Sequence, residues 1–168
     1  MKIVIDPFDQ KSIDNAVKEL ERYKRWVQEK EEILRQRLAH LGATVASIEF
    51  SRAIYNGTND VSVRVDNNGR KATIFAEGSA VLFIEFGSGM KYGYGHPDAG
   101  KFGYGPGTYS DGPNGKGHWD DVDASGNPIG WYFAHGQHSL GNPPAMAMVH
   151  ARDAIVEQLT AIAREVFA

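Results

Sequence analysis

Four histidines, His96, His118, His135 and His138, fall inside one glycine-rich stretch, with Asp120 and Asp121 just beyond His118. Neutral imidazoles and carboxylates gathered in this way are the donor set of a zinc site that keeps one position open for water. A metal-dependent hydrolase is therefore the enzymatic reading of the chain. The pattern is loose: His135 and His138 stand three apart around Gly136, without the glutamate of an HExxH helix. Loop histidines making ordinary hydrogen bonds have the same spacing. One more acid stands out, Glu85, alone in the apolar run "AVLFIEF". Paired with a second carboxylate such as Asp120 it is a formal acid–base couple, although no spacing selects that pair.

Other chemistries lack their residues. Gly87, Gly89 and Gly93 give GxGxxxG rather than GxGxxG, and Gly95, Pro97 and Gly100 follow where a phosphate-binding helix would have to begin. Lys101 and Lys116 follow glycines, but neither precedes the Ser or Thr of a P-loop. With no cysteine and no G-x-S-x-G elbow, nucleophilic catalysis has no carrier; Ser88 sits between glycines without a neighbouring base.

These residues hang from a framework of helices and short strands. Residues 12–42 predict a long helix with Ser12 as N-cap and Gly42 just past its end. Ile13, Leu20, Val27, Leu34 and Leu41 recur every seven residues along it, while Lys30 and Arg37 interrupt the second apolar row and disfavour a strict coiled coil. Four antiparallel strands are expected next, "ASIEFSRAI", "VSVRV", "KATIFAEG" and "AVLFIEFG", with a turn at Asn67-Asn68-Gly69. A last helix is expected from Pro143-Pro144, with Met148, Ala151, Ile155, Leu159, Ile162 and Val166 on its apolar face. The fold class is thus α+β in a single domain, residues 1–168.

Between the last strand and the last helix, residues 87–142 form a long excursion holding 15 of the 19 glycines and five of the seven tyrosines. "IGWYFAHG" is a short strand within it. Segments of this length inside a domain are usually functional or disordered, and Tyr92, Tyr94, Tyr104, Tyr109, Trp119 and Trp131 make it unlike a plain linker. Three lysines against five aspartates in the same segment argue against a phosphate groove. Aromatics of this kind more often anchor protein interfaces.

At 168 residues, 42% apolar, 23% charged and net charge −3, the chain has the composition of a globular domain without the basic surplus of a nucleic-acid or membrane-surface binder. No apolar run approaches the ~20 residues of a membrane span, and the start "MKIVIDPFD" does not read as a signal peptide. The absence of cysteine suits a reducing compartment.

The order of these elements resembles a phage family. Phe83, Ile84, Glu85, Phe86, Gly87, Ser88 and Gly89, followed by the excursion and by Gly141-Asn142-Pro143-Pro144-Ala145, are similar to the signature of head–tail-joining proteins of long-tailed bacteriophages, also called tail-completion or neck proteins. The long first helix ending "LAHLGATVA" suits that family, whereas residues 90–140 exceed its common length. The resemblance implies a sheet flanked by two helices and a non-enzymatic structural role without cofactor. It also implies assembly into a ring, six copies being expected, between the portal connector or head-closure proteins and the tail-terminator or tail-tube proteins. The protein would then reside in the virion neck and, during assembly, in the host bacterial cytoplasm. On this reading the contact residues are Phe83, Glu85, Phe86, Gly87, Gly89, Tyr92, Tyr94, Tyr104, Tyr109, Trp119 and Trp131. Gly87 and Gly89 would act as a hinge, with Glu85 an orienting carboxylate at a sheet edge.

Overall fold

A computed structural model of the protein describes residues 5–88, 96–98, 101, 125, 131–132 and 138–168, with the backbone alone at 131, 132 and 138. Helix α1, Gln10–Arg52, runs through 43 residues, about 65 Å of helix. Asp9 caps it by accepting from the Lys11 N–H. Ser12 is inside the helix, its hydroxyl taken by the Asp6 N–H of the preceding turn.

Gly42 does not end the helix. A Cβ there would lie 2.5 Å from Ile155 Cδ1 and 2.6 Å from Ile74 Cδ1, so the glycine marks a close approach of three elements. Beyond it, Ala39, Gly42, Ala46 and Phe50 form one buried row spaced three and four apart. That period keeps "ASIEFSRAI" helical rather than extended. The strand reading needed Ile48 and Ile54 buried beside Phe50; both are exposed. At the helix end the Phe50 carbonyl accepts from Ala53 N–H and from the Asn59 side chain.

Strands β1, Ser62–Asn67, and β2, Ala72–Glu77, form an antiparallel hairpin with Arg64 opposite Phe75. Arg64 lies over the Phe75 ring and pairs diagonally with Glu77, both on the wet face. The Asn67-Asn68-Gly69 turn forms as expected, and Asn67 ties it to α1 through Glu32.

The fourth expected strand, like the first, is a helix. Residues Val81–Phe86 make the single-turn-and-a-half α2, with Ile84 and Glu85 buried. Its β-branched and aromatic residues favour extended chain, but both ends are held in helical geometry by groups from elsewhere in the sequence. Asp60 accepts from Ser79 N–H, Ser79 Oγ–H and Ala80 N–H at its start. At its end the Ile84 and Glu85 carbonyls accept from the N–H groups of Ala145 and Met146. Helix α3, Ala147–Phe167, begins three residues later than the prolines suggested, after Met146 in the left-handed region (φ 52°).

α3 lies antiparallel along α1: His150 meets Glu49, Ile155 meets the Gly42 position, Glu165 pairs with Arg37, and Phe167 packs edge-on against Trp26. The core sits at the opposite end, where Ala46, Phe50, Ala80, Ile84, Ala147 and Ala151 converge beneath the hairpin. Small side chains let α1, α2 and α3 approach closely there. The fold is α+β with a long first helix, an antiparallel hairpin and a C-terminal helix. Of the four strands expected, 62–67 and 72–77 are strands, whereas 46–54 lies largely within α1 and 81–86 is α2. A separate two-residue ladder joins β3, Trp131–Tyr132, to β4, His138–Ser139.

Candidate functional site

The two stretches that carry the family resemblance meet in space. Ser88 and Asn142 exchange both backbone hydrogen bonds, at 3.0 and 3.1 Å, and their side chains are hydrogen-bonded to each other at 2.5 Å. Asn142 Nδ2 also donates to the Phe83 carbonyl, 2.9 Å away. Residues 88 and 142, 54 apart in sequence, thus meet at one junction.

Gly87 makes this junction sterically possible. Its φ of 77° and ψ of 172° lie in a region that essentially only glycine occupies. An added Cβ would meet Pro144 N at 2.8 Å and Asn142 O at 2.9 Å. The glycine is buried against the "NPP" backbone, and its role is close approach within the chain.

Glu85 sits beside it, 6% exposed. Its carboxylate oxygens lie 3.2 and 3.1 Å from Met148 N, in the first turn of α3. A carboxylate at a helix N-terminus satisfies an otherwise orphaned N–H and opposes the positive end of the helix dipole. The arrangement is reciprocal, since α2 receives N–H groups from Ala145 and Met146 while its own Glu85 caps α3. The acid that interrupts the apolar run is there to join two helices end to end. The geometry replaces the expected sheet-edge position with an enclosed one.

His96 completes the site. Its Nε2 is 3.2 Å from Glu85 Oε1, and its Nδ1 accepts from the Asp98 N–H at 3.1 Å. Because Nδ1 is an acceptor, the ring hydrogen is assigned to Nε2, pointing at the carboxylate. The Phe86 ring lies 4.3 Å from the imidazole, centroid to centroid. Asp98 then bonds Lys101 at 2.5 Å and Arg152 of α3 at 3.2 Å. The Lys101 hydrogen bond, aided by the Lys101 and Arg152 charges, holds the Asp98 carboxyl below its ordinary range. A cavity of about 440 Å³ opens here, lined by Phe50, Leu82, Glu85, His96, Met148 and Arg152.

Chemically this is a clasp. Both ring nitrogens of His96 have protein partners, and Glu85 is engaged by Met148 and His96. Among the described residues no group of three or more His, Asp and Glu side chains is placed to hold an ion. His118, His135, Asp120 and Asp121 lie outside the described residues, as does the His138 side chain. So do Gly89, Tyr92, Tyr94, Tyr104, Tyr109, Trp119 and the Trp131 side chain among the expected contact residues. Phe83 and Phe86 are half-buried, and Glu85 and Gly87 face inward.

Asp60, Asp98 and Arg152 gave no signal in the sequence, because each acts on a partner about 20 or 54 residues away. No helix of the described residues is long and apolar enough to cross a membrane. Comparison of the chain with models of protein families, with curated proteins and with solved structures finds no match.

Proposed function

We propose that the protein is a structural subunit of the neck of a long-tailed bacteriophage, joining the head connector to the tail as a tail-completion component. The observation that supports this reading is the Ser88–Asn142 junction. It brings residues 85–88 and 141–145, from the two stretches similar to the head–tail-joining signature, into one clasp. A joining subunit needs a fixed body and a contact segment with anchored ends, and the clasp provides those anchors for residues 89–141. The aromatics of that segment, with Phe83 and Phe86 at its root, are the surface assigned to neighbouring subunits. On this reading copies form a ring, six-fold in the expected assembly, between the portal or head-closure proteins below and the tail-terminator or tail-tube proteins above. No catalysis, cofactor, membrane or specific nucleic acid enters the role; the protein works by contact in the virion after assembly in the bacterial cytoplasm.

The test is genetic and visual. Inactivating the gene in the phage that carries it should leave filled heads and finished tails unjoined, and a tagged copy should appear at the neck of complete particles. Joined, infectious particles lacking the protein would refute the reading.

A further inference from the structure

We propose that the outer edge of β1 pairs with the same edge of a second copy of this chain, antiparallel and centred on Val65. The phase of the hairpin ladder fixes which backbone groups point away from it. Asn68 N–H donates to the carbonyl of Lys71, which stands opposite it across the turn. In an antiparallel ladder such pairs alternate, so Asp66, Arg64 and Ser62 turn their backbone groups towards β2. The N–H and C=O groups of Val63, Val65 and Asn67 therefore point outward, and among the described residues they meet no partner. The strand lacks the usual guards of an open edge: it has no proline or lysine, and its register with β2 is unbroken.

The charges select both occupant and register. A two-fold axis at Val65 sets Val65 against Val65 and Val63 against Asn67, so the outward groups of each copy meet those of the other. Between these pairs Arg64 of each copy faces Asp66 of the other, on the wet face that Arg64 shares with Phe75. Sliding one copy by two residues is the smallest shift that keeps the outward groups in phase. In one direction it sets Arg64 against Arg64, and in the other Asp66 against Asp66. A second copy thus supplies the matching alternation of charge by symmetry alone. β2 offers no such choice, since Glu77 is its one charged residue. On the inner face Val65, 39% exposed, lines a groove of about 830 Å³ with Gln36, His40, Leu41 and Thr44 of α1. Apposed to its symmetry mate, that valine loses its exposure to water. The pairing goes beyond any virion role, because a two-fold contact closes at two subunits whereas a ring requires a head-to-tail one.

Sedimentation equilibrium of the full chain tests it. A reversible dimer is expected at about 100 µM, with the Val63, Val65 and Asn67 amides exchanging their hydrogens more slowly there than in dilute protein. Asp66→Arg sets arginine against arginine across the axis, and Arg64→Asp sets aspartate against aspartate. Each variant alone should dimerise at least about tenfold more weakly than the wild type, with unchanged circular dichroism, both side chains being exposed. Mixed in equal amounts, the two variants should dimerise again, because every arginine of one chain then faces an aspartate of the other. A wild-type monomer at that concentration overturns the proposal. So does a dimer indifferent to either substitution, and so does a mixture that stays as weak as its components, because pairing elsewhere or in another register predicts those results.

Discussion

Two carboxylates cap two helices from a distance, and their surroundings differ. Asp60 reaches α2 at an exposed loop, accepting three hydrogen bonds from Ser79 and Ala80. Glu85 reaches α3 from inside the body, 6% exposed, beside His96 and the glycine junction. The same chemistry, an anion against unpaired N–H groups, thus serves two purposes. At Asp60 the carboxylate is exposed and water competes with the cap, so losing it returns Ser79 to solvent, although Ala80 beside it is buried in the core. At Glu85 the cap lies inside the body, so its loss leaves the Met148 N–H and the His96 donor without their protein acceptor. The lesson is that burial, more than the number of hydrogen bonds, decides which cap the fold depends upon.

The largest effect is therefore expected at Glu85. Glu85→Ala should cost about 3 kcal/mol in urea unfolding, the penalty for buried donors left without an acceptor. Glu85→Gln keeps one oxygen for Met148 and should cost about 1 kcal/mol. Equal losses in the two variants would show that the carboxylate is not acting as an acceptor and would collapse the contrast with Asp60.

Gly87→Ala sharpens the same comparison from the side of the backbone. The substitution forces a side chain into a glycine-only conformation and against Pro144 N and Asn142 O, neither of which is free to move aside. A loss of about 2 kcal/mol is expected, with faster proteolysis at both ends of the 89–141 segment as the Ser88–Asn142 bridge opens. A protein as stable and as resistant as the wild type would mean that the junction does not hold those ends.

Much of the framework was legible because it rests on local pattern. The seven-residue recurrence in 13–41 and the Asn67-Asn68-Gly69 turn each specify their own conformation, and α1, β1 and β2 follow. The errors fall where tertiary contacts override local preference. Gly42 reads as a helix stop until Ile74 and Ile155 are seen to need its missing side chain. "VLFIEF" reads as a strand until Asp60 and the Ala145–Met146 backbone are seen to hold its two ends. Glu85 was conspicuous in the sequence, and the resemblance put "EFGSG" and "GNPPA" forward together. That they close on one another was not legible, because the bond spans 54 residues. His96 was visible only as one of four histidines; the two partners that occupy its ring appear only in space.

The smallest effect, and the sharpest on charge, belongs to Asp60. Hydrogen bonds from Ala80 N–H, then from the Ser79 hydroxyl and N–H, pull its carboxyl from the ordinary 3.8 to about 2. A carboxyl depressed on folding stabilises the native state fully above its unfolded value, and that contribution fades as pH falls through the folded value. Stability from this group should accordingly hold from neutrality to about pH 4 and decline from there towards pH 2. Asp60→Asn retains a neutral oxygen for the cap and should fold, lacking only the proton-linked part. Unfolding free energies of the two proteins should differ by a constant amount between about pH 5 and 7 and converge between about 4 and 2. If the difference stays level down to pH 2, the exposed cap works without its charge, and the distinction between the two carboxylates reduces to burial alone.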